Sequence, residues 1–333
     1  MKQNLRKKAL FPAIAMVLAA VIALSGVTYA WFTTGNTANV NSLNVNVQTA
    51  NGIQLSLDGK AWKSTLTAND IITAIEKATD YSGRVIQYPA GEIAPVSSAG
   101  IVSGGKMQMF LGEYNEDGSL KSTALEDKNG TEGNYIAFDL FFKYSGNQPL
   151  SLNVGDGQSF VTTVSIGADG KATQLTDAAD MGTRTAVRVG FVPMGSFATD
   201  AEARNQKDAV LDNPEEVEEV INKVNIWEPN SQVRAAGSEG GSGKLDYVGF
   251  KAAFAAGTEG ALTADQAVKV ETLDENMTIM NLSKTYSKVR VYIWLEGQDV
   301  DCINNISNGD FSVTLQFAVP EITPETTNGA EGN

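Results

Sequence analysis

Apolar and polar residues alternate along many short stretches of the chain, which is the pattern of strands with one buried face. In residues 288–295, for example, Val289 and Val291 are predicted to face the core and Trp294 to point the other way. By this criterion strands are predicted over residues 42–48, 52–57, 107–111, 134–144, 149–154, 159–166, 185–192, 276–282, 288–295 and 311–317.

Asn-Gly and Asp-Gly pairs separate these stretches, as they do in tight turns between antiparallel strands. Many short strands between glycine-rich turns are typical of an antiparallel β-sandwich or jelly roll. We therefore predict a mainly β fold with a few short helical insertions. Helices are predicted over 67–78, 213–223 and about 263–269, and Thr67 and Asp70 have the spacing of a capping box at the start of the first.

The first thirty residues have the three parts of a secretory signal peptide. A basic segment (1–8) precedes an apolar segment (9–24), and a small-residue step ends at Ala30. We predict cleavage between Ala30 and Trp31. The alternative is an uncleaved signal helix, because the apolar stretch is about long enough to span a bilayer. Either outcome places the bulk of the chain outside the cytoplasm, and the protein meets the membrane only through an uncleaved leader.

The remaining chain divides into three parts by composition. Residues 31–50 form an N-terminal strand segment, and residues 51–317 form one elaborated β-sandwich domain, with a split into two domains near 170–180 as the alternative. Residues 318–333 are rich in Pro, Thr, Glu and Gly, so we predict a disordered polar tail.

The net charge and the residue types present limit the classes of function that the chain can have. The chain has 25 Lys+Arg against 39 Asp+Glu, a formal net charge of −14, which argues against a nucleic-acid partner. It has no histidine, so the usual general base and the commonest zinc ligand are missing. Its single cysteine, Cys302, is expected to be a small buried apolar residue. We predict that the protein is not an enzyme and has no cofactor. A carboxylate-based glycosidase, with acids such as Asp139 available, is the least favoured alternative.

Three carboxylates lie close together after the strand predicted over 288–295. Glu296, Asp299 and Asp301 supply the oxygen atoms that Ca²⁺ prefers. Their spacing does not match the EF-hand loop, and acidic turn residues are usually solvated. The three residues are therefore weak calcium candidates, and no other metal site is predicted.

The stretch GVTYAWFTTGNTANVNSLNVNVQ (26–48) resembles the leader junction of SipW-dependent exported proteins of Gram-positive bacteria, of which the TasA/camelysin biofilm-matrix proteins are best known. The matching features are the small-aromatic-Ala step, the Trp31-Phe32 pair, a Thr/Asn-rich stretch and a strand with the pattern Leu43-x-Val45. The main domain resembles poorly characterised Firmicutes surface proteins at IWEPN (226–230) and WLEGQDVDC (294–302). The resemblance implies a jelly roll outside the cell and fibres in which each subunit accepts its neighbour's N-terminal strand.

The residues themselves are compatible with strand addition. The segment from Trp31 to Val47 has no charged residue and no proline, and such a segment can pair with an open sheet edge. The candidates for strand donation are Trp31, Phe32, Leu43, Val45 and Val47. The sequence leaves open whether this segment pairs with a neighbour or is simply the first strand of its own sheet.

We therefore predict an exported structural protein of the cell surface or extracellular matrix, with a fibre-forming subunit as its most specific form. The expected partners are further copies of the chain or other surface proteins. The alternative is a surface adhesin or carbohydrate-binding module, with a glycan as the partner. In that case Trp62, Trp227 and Trp294 are the candidates for stacking on a sugar.

Overall fold

The computed structural model of the chain describes residues 44–50, 52–77, 81, 83–90, 93–114, 120–154, 158–166, 172–174, 184, 186–210, 224–229, 248–250, 267–269, 272–297 and 310–320. These residues form a mainly β structure, as the alternating pattern predicts. The helices among them are α1 (Ala68–Glu76) and α2 (Asp200–Asn205). The strands are β1 (Asn44–Thr49), β2 (Gln54–Ser56), β3 (Thr65–Thr67), β4 (Ile86–Gln87), β5 (Val102–Ser103), β6 (Lys106–Met107), β7 (Met109–Tyr114), β8 (Leu120–Leu125), β9 (Ile136–Lys143), β10 (Gln148–Leu152), β11 (Phe160–Ile166), β12 (Ala172–Gln174), β13 (Val187–Phe197), β14 (Ile226–Trp227), β15 (Val248–Phe250), β16 (Ala267–Lys269), β17 (Thr278–Leu282), β18 (Tyr286–Leu295) and β19 (Asp310–Ala318).

The first sheet has the strand order β12-β11-β19-β1-β3, and β10 pairs with both β19 and β17. Strand β1 runs parallel to β19, whereas every other pairing between the described strands is antiparallel. The sheet is therefore mixed, and the predicted antiparallel arrangement does not hold at this one pairing. Two parallel strands need a long connection. Strands β1 and β19 are the first and last of the described strands, so the chain between them provides that connection.

The second sheet has the order β14-β13-β18-β9-β2, with β4 also paired to β9. The long strand β18 lies between β13 and β9 and pairs with both along most of its length. Three two-stranded sheets, β5–β6, β7–β8 and β15–β16, lie apart from these pairings. Both large sheets combine strands from before residue 170 and after residue 180.

The two large sheets share one apolar core. Side chains predicted to face inward, such as Val289 and Val291, are fully buried in it. Phe317 of the first sheet meets Phe142 and Phe191 of the second edge-on, with ring centroids 5.0 and 5.9 Å apart. Each fully buried side chain of this kind contributes about 1.5–3 kcal/mol, so the faces with period-two alternation hold the sheets together.

The opposite face of the second sheet is also covered, which the alternating pattern does not predict. Side chains of Val85, Val224 and residues 96–109 pack on it and, with outward-facing residues of the sheet, form a second apolar cluster. Its buried members are Val85, Val96, Val102, Met107, Met109, Tyr135, Ala137, Val192, Met194, Val224, Ile226, Tyr292 and Trp294. The second sheet is therefore enclosed on both faces over much of its area.

The hairpin β5–β6 turns through Gly104 and Gly105, whose φ angles of 55° and 70° lie in the left-handed region that glycine tolerates. At Gly105 a side chain would also collide with the backbone, because an added Cβ would lie 1.8 Å from the Lys207 carbonyl oxygen. This close approach sets the Gly105 carbonyl against the second sheet, where Arg290 Nη1 donates a hydrogen bond to it at 2.8 Å.

Helix α1 begins where its capping box predicts. Thr67 is the N-cap: the Asp70 N–H donates to Thr67 Oγ1 at 3.4 Å, and the Thr67 N–H donates to Asp70 Oδ2 at 2.9 Å. The helix predicted over 213–223 lies outside the described residues. The helix predicted over 263–269 is wrong for its last three residues. They form β16 and pair with β15, because strand pairing overrides a weak local helix preference.

Replacing Thr67 with alanine is expected to lower the free energy of unfolding by about 1 kcal/mol, because it removes one half of the capping box. Urea unfolding followed by circular dichroism measures the change. The matched control is Thr65→Ala, an exposed threonine of the same strand that caps no helix, for which we expect a change within about 0.5 kcal/mol. Equal effects of the two substitutions would contradict the capping role.

The described chain is still packed just beyond residue 317, the predicted end of the domain. Strand β19 continues to Ala318, and Val319 is only 3% exposed. The rest of the predicted tail, from residue 321 onward, lies outside the described residues. Among the residues that the structure describes, no helix is long and apolar enough to cross a membrane.

Candidate functional site

Strand β1, the first described element of the chain, lies between β19 and β3, and we call this position the first-strand seat. All six of its residues pair with β19, from Asn44 opposite Ser312 to Thr49 opposite Phe317. Strand β3 pairs with only three of them, from Asn46 to Gln48. The seat therefore consists of one full ladder and one partial ladder, and β3 is the last strand on that side of the sheet.

Two valines anchor β1 in the seat. Val45 and Val47 are fully buried in the shared core, whereas Asn46 between them is exposed. A slip of one residue would move both valines to the outer face, so their burial fixes the register of the strand. At its end, the Ala50 N–H donates to the Phe317 carbonyl at 3.1 Å and continues the contact with β19.

Two of the five strand-donation candidates, Val45 and Val47, thus lie in the seat. Within one chain the first strand pairs with the chain's own sheet, which is one of the two pairings that the sequence left open. The other candidates and the processing residues lie outside the described residues: Ala30, Trp31, Phe32 and Leu43.

Three charged side chains lie together on the opposite face of the second sheet, and we call them the buried ionic cluster. Asp139 projects from β9, and Lys288 and Arg290 project from β18; their side chains are at most 1% exposed. Arg290 Nε donates to Asp139 Oδ1 at 2.7 Å, and Lys288 Nζ lies 3.1 Å from Oδ2. Arg290 Nη2 also donates to the Gly83 carbonyl at 2.8 Å, so the cluster ties a covering loop to the sheet.

Burial and charged neighbours shift the pKa values of Asp139 and of Tyr81, which lies beside the cluster. Burial alone raises the pKa of the Asp139 carboxyl, but Arg290 and Lys288 outweigh burial and hold that pKa below its usual value. Burial and the neighbouring Asp139 carboxylate raise the pKa of Tyr81, whose hydroxyl donates to Asp139 at 3.2 Å. The Lys288 ammonium lies 5.1 Å from the centroid of the Tyr81 ring, within the range of a cation–π contact.

A second carboxylate, Asp127, lies over the same face. It accepts hydrogen bonds from the hydroxyls of Tyr135 at 2.8 Å and Tyr292 at 3.1 Å, and Lys106 Nζ is 3.9 Å away. Burial raises the pKa of Asp127, although the two hydroxyls and Lys106 oppose it. Together, the contacts of Asp127 and of the buried ionic cluster hold the segments that cover this face against the second sheet. We call these covering segments the outer layer.

This arrangement is closed to substrate. Asp139, one of the acids available to a glycosidase, is 1% exposed and committed to two cations. A general acid or nucleophile must reach the reacting bond, which an enclosed carboxylate does not do. The contacts of Asp139 therefore favour a structural role.

The sequence alone does not predict the buried ionic cluster. The available signal is that Asp139 interrupts an apolar strand, while Lys288 and Arg290 alternate with apolar residues on another. These charges meet only because β9 and β18 pair with Arg290 opposite Asp139. Without the strand order, the three residues look like separate surface charges.

The weak calcium cluster is only partly described. Glu296 is fully buried, and its Oε2 accepts a hydrogen bond from Trp294 Nε1 at 3.0 Å. Its N–H donates to the Ala186 carbonyl at 2.7 Å, so Glu296 belongs to a packed strand end and is not a solvated turn residue. Among the described residues, no group of three or more His, Cys, Asp or Glu could hold a metal ion. Asp299, Asp301 and Cys302 lie outside them, and calcium binding stays a prediction.

The three candidate tryptophans differ in accessibility. Trp294 is fully buried, so its prediction as an exposed sugar platform is wrong, because the outer face of its strand is covered. Trp62 is half-buried, and Lys143 Nζ lies 5.8 Å from the centroid of its ring. Trp227 is 6% exposed and lines a cleft of about 340 Å³.

Comparison with known proteins adds no relative to this picture. No protein-family model, no curated protein and no solved structure matches the chain. The functional interpretation therefore depends on the first-strand seat, on the enclosed charges and on the chemistry of the individual residues.

Proposed function

We propose that this chain is an exported structural protein of the surface or extracellular matrix of a Gram-positive bacterium, and that its subunits form fibres by exchanging their N-terminal strands. In this proposal residues 1–30 are a cleaved leader, and the two packed sheets are a β-sandwich of the jelly-roll type. The observation that carries the proposal is the first-strand seat, in which a short terminal strand is held by two buried valines.

A terminal strand can be replaced by the same strand of a neighbour, because the neighbour's strand makes identical contacts. Strand β1 is joined to the rest of the fold through a turn at Gly52, where φ is +77°. Opening this turn lets β1 extend away from its own sheet. When each subunit donates in one direction and accepts in the other, the contact does not close on itself and produces a filament.

The position of the seat also favours exchange. Strand β3 pairs with only three residues of β1, so on the edge side an incoming strand displaces three residue pairs, while the departing β1 gives up its six pairs with β19, which the incoming strand forms again. Residues 31–43, which precede β1, carry no charge and can extend the added strand. The aromatic pair Trp31-Phe32 then lies at the free end of the donated segment.

The enclosed charges support a structural role for the rest of the fold. Asp139 and Glu296 are fully packed, and the contacts of Asp139 join elements of the fold. These buried contacts help to keep the rest of a subunit folded while its terminal strand pairs with a neighbour. The resemblance of the leader junction to matrix proteins points the same way.

Negative-stain electron microscopy and size-exclusion chromatography of the chain from Trp31 onward test the proposal. We expect assembly into fibres that depends on protein concentration and is accelerated by preformed seeds. A synthetic peptide of residues 31–50 in excess should slow elongation, because it occupies the seat, whereas a peptide with Val45 and Val47 replaced by asparagine should not. A chain that stays monomeric over a wide range of concentration, pH and seeding contradicts the proposal.

A further inference from the structure

A lysine and two aromatic rings lie together at one end of the second sheet, and we call them the lysine–aromatic patch. Lys143, the last residue of β9, pairs with Tyr286, the first residue of β18, and Trp62 lies shortly before β3. The three side chains are half-buried. Lys143 Nζ lies 5.8 Å from the centroid of the Trp62 ring and 5.9 Å from that of the Tyr286 ring, so both rings make cation–π contacts with it.

The patch carries positive charge in a protein whose net charge is −14. In the described part of the chain, no carboxylate lies within 4.0 Å of Lys143 Nζ. Lys60 and Lys284 are exposed and lie two residues from Trp62 and Tyr286 along the chain. The partner that matches this surface is acidic and also has apolar groups that pack on the two rings.

The chain itself contains a segment with this chemistry. Residues 321–333 include three glutamates and no Lys or Arg. Two of these glutamates, Glu321 and Glu325, directly follow Pro320 and Pro324. Proline rings pack on aromatic side chains, as they do when Pro-rich peptides bind in aromatic-lined grooves. The two Pro-Glu pairs therefore combine the apolar and the acidic groups that the patch is suited to bind.

Strand β19 points towards the patch where it ends. Its last residue, Ala318, pairs with Ser151 of β10, and the two strands are antiparallel. The direction of β19 beyond Ala318 is therefore towards Gln148, where β10 begins. Only residues 144–147 separate Gln148 from Lys143. The continuation of β19 thus leads to the end of the molecule at which the patch lies.

The contacts of β19 with the second sheet agree with this direction. The ring of Phe317 meets that of Phe142, the residue before Lys143, with centroids 5.0 Å apart. Pro320 is exposed, so the chain has reached the surface at this point. An extended segment of the length of residues 321–333 spans up to about 45 Å, so its reach does not limit docking.

The covalent connection makes weak contacts sufficient. Exposed ion pairs are individually weak, and a free peptide with these few charges would bind poorly. A segment that is joined to its site by a short linker has an effective concentration of about millimolar. An intrinsic affinity in that range therefore fills the patch for much of the time.

From these observations we infer that residues 321–333 dock on the lysine–aromatic patch of their own chain. Glutamates of the segment contact Lys143 and the lysines around it, and its prolines pack on Trp62 and Tyr286. The docked segment competes with any other acidic partner for the patch, which makes it an autoinhibitory contact. The inference does not depend on strand exchange, because none of the three patch residues belongs to the first-strand seat.

A fluorescent label on the segment tests the inference in the chain from Trp31 onward. Thr327→Cys in a Cys302→Ser background provides one thiol for a bimane label, whose fluorescence a tryptophan quenches on contact. Trp62→Phe removes the tryptophan of the patch and keeps an aromatic ring there. Quenching that depends on Trp62 therefore reports the docked segment.

Charge reversal in the patch provides the matched pair of variants. Lys143→Glu reverses the central charge of the patch. Lys128→Glu is the control, because Lys128 is also exposed but lies near the other end of β9. Its N–H donates to the side chain of Gln87, and Gln87 pairs with Ala137 at the start of that strand.

We expect the label to be quenched in the original chain. Its fluorescence should rise at least about twofold with Trp62→Phe, with Lys143→Glu and in about 1 M salt, which shortens the Debye length to about 3 Å. Lys128→Glu should leave the quenching unchanged. Glu321→Lys combined with Glu325→Lys should release the label without a change in the patch, which keeps the test valid if Lys143→Glu does not fold.

Equal quenching with Lys143→Glu and Lys128→Glu would overturn the inference, and so would quenching that persists with Trp62→Phe. Docking within one chain also predicts quenching that is independent of protein concentration in the soluble protein. Quenching that rises with concentration would assign the segment to a neighbouring chain and would overturn the inference as well. These measurements need no fibres, so a failure of strand exchange and a failure of docking are distinguishable.

Discussion

Replacing Asp139 with asparagine is expected to lower the free energy of unfolding by about 3–5 kcal/mol, because it leaves two buried cations without their carboxylate. Lys288 and Arg290 have no route to solvent, since both side chains are at most 1% exposed. Urea unfolding at pH 7 measures the loss. The matched control is Asp208→Asn, the same change at an exposed position, with an expected effect within about 0.5 kcal/mol.

A milder variant keeps this prediction testable if the asparagine variant does not fold. Tyr81→Phe removes the hydroxyl that donates to Asp139 at 3.2 Å and leaves the ion pairs in place. We expect a loss of about 0.5–1.5 kcal/mol. If neither substitution changes stability by more than the Asp208 control, the buried ionic cluster does not hold the outer layer.

The same carboxylate predicts a dependence of stability on pH. The pKa of Asp139 in the folded protein lies below the ordinary value of 3.8, because the two cations outweigh burial. The stabilisation is therefore fully present above the unfolded pKa and is lost as the pH falls through the folded pKa. The difference in unfolding free energy between the original protein and Asp139→Asn should be constant from pH 7 to 5 and shrink below pH 4.

Strand β18 shows most clearly how much of the fold can be predicted from the sequence. Period-two alternation identifies its inward residues correctly, because the shared core selects apolar side chains at every second position. Alternation also assigns Arg290 and Trp294 to one face. It does not reveal that other segments cover that face, since the pattern distinguishes two faces and not what packs against each. The burial of Trp294 and of Arg290 follows from this covering layer, whereas the contact between Arg290 and Asp139 follows from the pairing of β18 with β9.

Helix starts show a different limit. The capping box at Thr67 was predictable from four residues, and the same signal at Thr199 and Glu202 begins α2, which the sequence prediction missed. That helix has only six residues, too few for a hydrophobic period to stand out. The parallel pairing of β1 with β19 could not be predicted from the sequence for another reason. No local pattern of residues specifies a strand partner at the far end of the chain.

Covalent locking of β1 in its own seat is expected to abolish fibre assembly. Gln48 of β1 lies opposite Thr65 of β3, and both side chains are on the face away from the core. Cysteines at paired positions of neighbouring antiparallel strands have the Cα separation that a disulfide needs. Gln48→Cys with Thr65→Cys, combined with Cys302→Ser to avoid mispairing, therefore forms a reversible lock.

The lock separates strand exchange from other modes of assembly. Oxidation holds β1 on β3 without changing the rest of the surface, whereas reduction restores the original freedom of the strand. Gln48→Ser with Thr65→Ser in the same Cys302→Ser background is the matched control, since it changes the same positions without a bond. That control should assemble under both conditions at the rate of the original protein.

The most direct measurement is therefore the elongation rate of seeded fibres of the locked variant before and after reduction, followed by light scattering and electron microscopy. Strand exchange predicts no elongation in the oxidised state and full recovery of elongation after reduction. Elongation at the same rate in both states would contradict the exchange of β1, because fibres would then grow while the first strand stays in its own seat.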